Sequence, residues 1–83
     1  MDNKVTLTIQ STSGSLTDEF NTNEPLHAVK RQAMARLNID PSQADSYQLV
    51  HDNNLLDESQ TLEELNIPDG ATLLLVLKSA VVV

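Results

Sequence analysis

Thr72-Leu73-Leu74-Leu75-Val76-Leu77-Lys78 is the stretch that decides how this chain folds. The turn signal Pro68-Asp69-Gly70 precedes it and Lys78 closes it, so the run reads as a strand. Successive side chains of a strand point to opposite faces. If Leu73, Leu75 and Leu77 face a core, Leu74 and Val76 face away from it. A chain of 83 residues rarely has the material to cover both faces of a sheet. Either a second layer hides Leu74 and Val76, or they form an exposed apolar patch. Such a patch on a soluble protein marks a place where something binds.

Upstream of this strand, Thr61-Leu62-Glu63-Glu64-Leu65 reads as a short helix start, with Thr61 as cap and Glu64 three residues on. Pro68 limits it to about one turn. Leu62, Leu65 and Ile67 can then tuck beneath the sheet. Before it, Leu55-Leu56 suffices only for a very short edge strand, and Asp52-Asn53-Asn54 reads as a turn. Tyr47, Leu49 and His51 share one face of a further strand, with Gln48 and Val50 on the other. Asp40 to Asp45 reads as a loop.

Leu26, Val29, Ala33 and Leu37 recur at helical spacing. Asn23-Glu24-Pro25 suits the opening of that helix, and Asn38 can take the left-handed position that ends it. At the start of the chain, Val5, Leu7 and Ile9 alternate with Thr6, Thr8 and Gln10. The turn-rich segment 11–15 joins this strand to an edge strand in which Leu16, Asp18 and Phe20 share a face. The expected class is α+β, in the order ββαββ(short helix)β, with one helix packed across one face of a mixed sheet. Thr6, Thr8, Val50, Leu74 and Val76 then share the uncovered face.

One small domain over residues 1–78 with a tail over 79–83 fits the length. The chain has no cysteine, which excludes disulfides, thiolate metal sites and a thiol nucleophile. The first residues lead into no signal-peptide segment and no apolar run has membrane-spanning length, so a cytoplasmic protein is expected. The net charge of −7 argues against nucleic acid or an anionic membrane as partner. Residues 1–44 hold five acids against four bases, and residues 45–83 hold seven acids against one base. A partner docking on the last strand would accordingly bring a basic rim.

The segment from Tyr47 through Ile67, followed by Thr72 to Lys78, resembles the second half of ubiquitin without a gap. The marks are Leu56-Asp57-Glu58, then Thr61-Leu62 with Asn66-Ile67, and finally the ending Thr72-Leu73-x-Leu75-Val76-Leu77-Lys78. Leu26-x-x-Val29-Lys30 is similar to the start of the ubiquitin helix. The resemblance covers residues 4–78 and implies the β-grasp roll of ubiquitin-like proteins. It also implies that Val50, Leu74 and Val76 match the main recognition surface of that family, with Gln48 and Lys78 beside them.

Departures from the family pattern shape the functional expectation. Gln48 and Asn54 replace two bases near the patch, and Leu74 replaces its histidine. The lysines most used for chain building align with Asn54 and Asp69. Lys30 aligns with a lysine held within the fold, and Lys78 with an arginine that activating enzymes inspect. Modifiers and sulfur carriers of this family end in Gly-Gly, where this sequence reads Ser79-Ala80-Val81-Val82-Val83. Three β-branched residues suit poorly a tail that must thread into an activating enzyme.

The expected function is therefore a monomeric protein-interaction module that binds a protein partner through Val50, Leu74 and Val76. Thr6, Thr8, Gln48 and Lys78 lie at its margin. The alternatives are a covalent modifier, of a bacterial pathway for instance, with an atypical or processed end and pathway enzymes as partners, and behind it a sulfur carrier. No catalytic constellation, cofactor or metal is expected. His27 and His51 have no serine and carboxylate placed with them. The oxygen-rich stretch 52–58 lacks calcium-loop spacing.

Overall fold

A computed structural model of the chain describes residues 3–80. Strands β1 (Lys4–Ser11), β2 (Gly14–Asn21), β3 (Tyr47–His51), β4 (Asn54–Leu55) and β5 (Thr72–Leu77) form one sheet in the order β2-β1-β5-β3-β4. β1 runs parallel to β5, and the other pairs are antiparallel. A single helix, α1 (Leu26–Arg36), covers one face. Leu7, Ile9, Phe20, Leu49, Leu73 and Leu75 line that inner face and are buried, as are Leu26, Val29, Ala33 and Met34 of the helix.

Local chemistry sets the two hairpins. β1 and β2 join through Thr12-Ser13, and Gly14 takes φ 136, a region that disfavours side chains. Ser11 Oγ donates to the Gly14 carbonyl and accepts from the Ser13 N–H. Asp52 and Asn53 both take positive φ, 51 and 65, which is the type I′ geometry that matches strand twist. β3 and β4 are thereby held in register, with Val50 opposite Leu55.

The helix start differs from the sequence expectation. Asn23 and Glu24 do not cap it, and Glu24 accepts from Gln32 Nε2 instead. The free N–H groups of Leu26 and His27 donate to the Gln60 and Glu58 carbonyls at 2.9 and 3.0 Å. The crossover between β4 and β5 therefore supplies the cap that every helix start needs. At the other end, Asn38 takes φ 62 and the Ile39 N–H reaches the Met34 carbonyl at 2.8 Å. This is the left-handed stop expected for Asn38.

The same device recurs in the crossover. Asn66 takes φ 55 and the Ile67 N–H reaches the Leu62 carbonyl at 3.0 Å. Leu37-Asn38-Ile39 and Leu65-Asn66-Ile67 thus end two turns alike, and both isoleucines are buried. The capping box also forms, with Thr61 N–H on Glu64 Oε1 and Glu64 N–H on Thr61 Oγ1, both at 3.0 Å. Start and stop signals lie so close that no helical interior fits between them. The expected short helix is instead a capped turn.

Two further expectations change. The segment read as a loop is a 3₁₀-helix over Pro41–Ser46, opened by the Asp40 carboxylate accepting from the Ser42 N–H at 2.9 Å. Leu77, expected in the core, is 40% exposed. Alternation puts it on the inner side, but it is the last residue of β5 and lies at the sheet margin, beyond the core.

Lys30 is 3% exposed, the one charged side chain among the described residues that is buried. Its Nζ donates to the Tyr47 carbonyl at 2.9 Å and pairs with Glu58 Oε1 at 2.5 Å. One side chain thus ties the helix to both the start of β3 and the crossover. Lys30→Ala would leave Glu58 and a backbone carbonyl without their partner. It should cost about 3 kcal/mol in urea unfolding. A loss under about 1 kcal/mol would contradict this role.

Hydrogen bonds also hold two exposed carboxyls below their ordinary range. The Ser42 backbone N–H does so for Asp40, and the Ser59 hydroxyl, then its N–H, for Asp57. A lowered folded pKa adds stability above the unfolded value of about 4 and loses it as pH falls towards the folded one. Asp57→Asn should therefore flatten the fall in stability below about pH 4 and leave the slope above about pH 5 unchanged. Urea midpoints across that range measure both.

Candidate partner-binding face

Pairing fixes which side chains share the outer face. Leu55 stands opposite Val50, Val50 opposite Leu74, and Leu74 beside Gln10. Four strands thus contribute to one row, three of whose members are apolar. Val76 lies opposite Gln48 in the next row. Leu74 is 40% exposed, and Val50 and Val76 are half-buried. A depression of about 230 Å³ opens where Leu74, Leu75 and Val76 meet Gln10, Ser11 and Thr12 of the β1–β2 hairpin.

The sheet brings Val50, Leu74, Val76 and Gln48 together, and Thr8 adjoins them. Thr8 pairs with Thr72 in the row before Leu74, and its hydroxyl meets that of Thr17 at 3.0 Å. Thr6 is less central. Four residues of strand, about 13 Å, separate it from Gln10 in the Leu74 row. Its N–H donates to Asp69 Oδ1 at 2.6 Å, which continues the β1 ladder past the start of β5. Lys78, Ser79 and Ala80 form a 3₁₀ turn after β5, with Lys78 exposed. Val81, Val82 and Val83 of the expected tail lie outside the described residues.

Sequence reasoning missed Leu55, which is 63% exposed. The signal was present in the short apolar pair at 55–56. Leu56 packs against the core, and alternation sends Leu55 outward.

The charge pattern of the face also differs from the expectation. Among the paired strand residues, the outer face carries only Lys4 and Glu19 as charges. Asp57, Glu58, Glu63 and Glu64 belong to the crossover that caps the helix, on the opposite side of the sheet. The acids at 57–64 are therefore not neighbours of Leu74 in space, whereas Asp69 accepts from the Thr6 N–H of β1.

His51 Nε2 lies 3.6 Å from Asp52 Oδ2, and His27 is exposed in the first turn of α1. Among the described residues, no group of three or more His, Cys, Asp or Glu side chains could hold a metal ion. None of the described helices is long and apolar enough to cross a membrane.

A family model described as "Protein of Unknown function (DUF2604)" matches residues 1–82. The chain belongs to the DUF2604 family. Among curated proteins none matches it. Solved structures give this DUF2604 member a ubiquitin-like fold. Caldiarchaeum subterraneum ubiquitin is 24% identical, with a TM-score of 0.75, over 90% of this chain and 94% of that one. A protein designed de novo on the basis of ubiquitin is 22% identical, with a TM-score of 0.78, over 95% and 94%. The N-terminal ubiquitin-like domain of the 4931431F19Rik protein is 18% identical, with a TM-score of 0.77, over 100% and 83%. The β-grasp resemblance carried by residues 47–78 is thus borne out as a fold.

If the outer face is uncovered, truncating it should cost little. Leu74→Ala and Leu55→Ala are expected to change unfolding free energy by less than about 1 kcal/mol, whereas Leu75→Ala should cost about 2–5 kcal/mol. Equal costs at positions 74 and 75 would show Leu74 to be packed.

Proposed function

We propose that this chain is a ubiquitin-like interaction module, one domain over residues 1–78, that binds a protein partner through its uncovered sheet face. The row Leu55, Val50 and Leu74, with Val76 beside it, is the observation that carries this reading. Apolar side chains aligned across three strands favour a flat or convex partner surface. Gln48, Thr8 and Lys78 form a polar margin that would set orientation. Full burial of such side chains is worth about 1.5–3 kcal/mol each before association costs. Micromolar-class affinity is the corresponding expectation.

Because the face is nearly neutral, binding should depend weakly on salt. The acids of the crossover would then serve solubility.

The test immobilises the chain and measures partner retention from extract of its source cells. The Val50→Ala, Leu74→Ala double variant should bind at least about 10-fold more weakly than the native chain. Arg31→Ala on the helix should bind as the native chain does. Equal retention by the native and doubly substituted chains would refute the site.

A further inference from the structure

We propose that the free edge of β2 is a strand-pairing site held shut by Asp18, and that the strand it would otherwise take is β2 of a second copy of this chain. β2 ends the sheet, and among the described residues no strand pairs with its far side, although the Asn21 carbonyl at its end accepts from the Glu24 N–H at 3.5 Å. The Thr22 N–H donates to the Asn3 carbonyl and continues the β1–β2 ladder. Alternation then turns the backbone groups of Phe20, Asp18 and Leu16 towards β1, and those of Ser15, Thr17, Glu19 and Asn21 towards the open edge. An edge strand of eight residues without proline is a template for another chain. The opposite edge, β4, has only two residues and needs no such guard.

Asp18 occupies the middle of this edge in two ways. Its Oδ1 accepts from the Glu19 N–H at 2.7 Å, so one of the outward donors is already used. Its Oδ2 accepts from Arg36 Nη1 at 2.7 Å, and the Arg36 guanidinium lies 5.3 Å from the centre of the Phe20 ring. The carboxylate is therefore braced from the end of the helix while it covers the edge.

The register explains why the excluded strand is a second β2. An antiparallel pair uses all four outward residues only if Ser15 meets Asn21 of the second copy and Thr17 meets its Glu19. The twofold axis of that register passes through position 18. Each Asp18 would face the same carboxylate of the other copy, and like charges directly opposite oppose pairing, an effect that the Arg36 paired with each carboxylate lessens. Each Glu19 N–H would also have to leave its Asp18 for a Thr17 carbonyl. The edge is self-complementary in backbone and self-repelling at its centre.

Two measurements test the proposal. In the native chain, the Glu19 amide should exchange with solvent at least about 10-fold more slowly than that of Thr17, because only the former has a partner. In sedimentation equilibrium, Asp18→Thr should form concentration-dependent dimers where the native chain stays monomeric. Adding Thr17→Pro, which deletes an outward donor and spares the β1 ladder, should restore the monomer. Equal exchange at the two native amides would overturn the proposal, whether or not the variants fold. So would a monomeric, folded Asp18→Thr chain, or dimers that survive Thr17→Pro.

Discussion

One helix of eleven residues must shelter a sheet of five strands, and it can do so on one side only. The rest of the structure follows from that constraint. Leu73 and Leu75 disappear beneath α1 and the crossover, whereas Leu74, between them on the same strand, stays 40% exposed. Burial of a leucine side chain is worth about 1.5–3 kcal/mol, so the fold forgoes part of that at Leu74. Lys30 keeps the arrangement in place by joining the helix to the Tyr47 carbonyl and to Glu58. With helix, β3 and crossover tied at one point, the inner side is closed and the outer side remains a plain sheet surface.

The two sides also differ in charge. The crossover gathers Asp57, Glu58, Glu63 and Glu64 beside the start of the helix, where Glu58 meets Lys30 and the Glu63 N–H reaches the Thr22 carbonyl. The outer face, by contrast, sets Lys4 and Glu19 among threonines, glutamines and aliphatic residues. An acidic protein thus presents a nearly neutral sheet. Recognition there would rest on shape and apolar area.

Much of this was legible in the sequence because strand alternation and helical spacing are local. The alternation in β5 placed Leu73, Leu75 and Leu74 on their correct sides, the stripe from Leu26 to Ala33 identified the helix, and Asn38 marked its end. The errors arose where distant segments decide the outcome. The helix start looked self-capped, but carbonyls some thirty residues away cap it. Leu77 had the right phase for the core, yet the core stops before reaching it. Thr61 and Asn66 are correct start and stop signals that stand too close together to enclose a helix. Charge counted along the chain did not map onto neighbourhoods in space, because the crossover carries Asp57, Glu58, Glu63 and Glu64 to the far side of the sheet while its Asp69 bonds to β1. Leu55 was overlooked because a two-residue strand shows no periodicity of its own.

Methyl relaxation by a soluble paramagnetic agent, recorded on the isolated monomer, tests the central claim most directly. The account predicts strong enhancement at the methyls of Leu74 and Leu55, intermediate values at Val50 and Val76, and almost none at Leu73 and Leu75. Leu74 methyls as shielded as those of Leu75 would mean that something covers the outer face, and the account would be wrong.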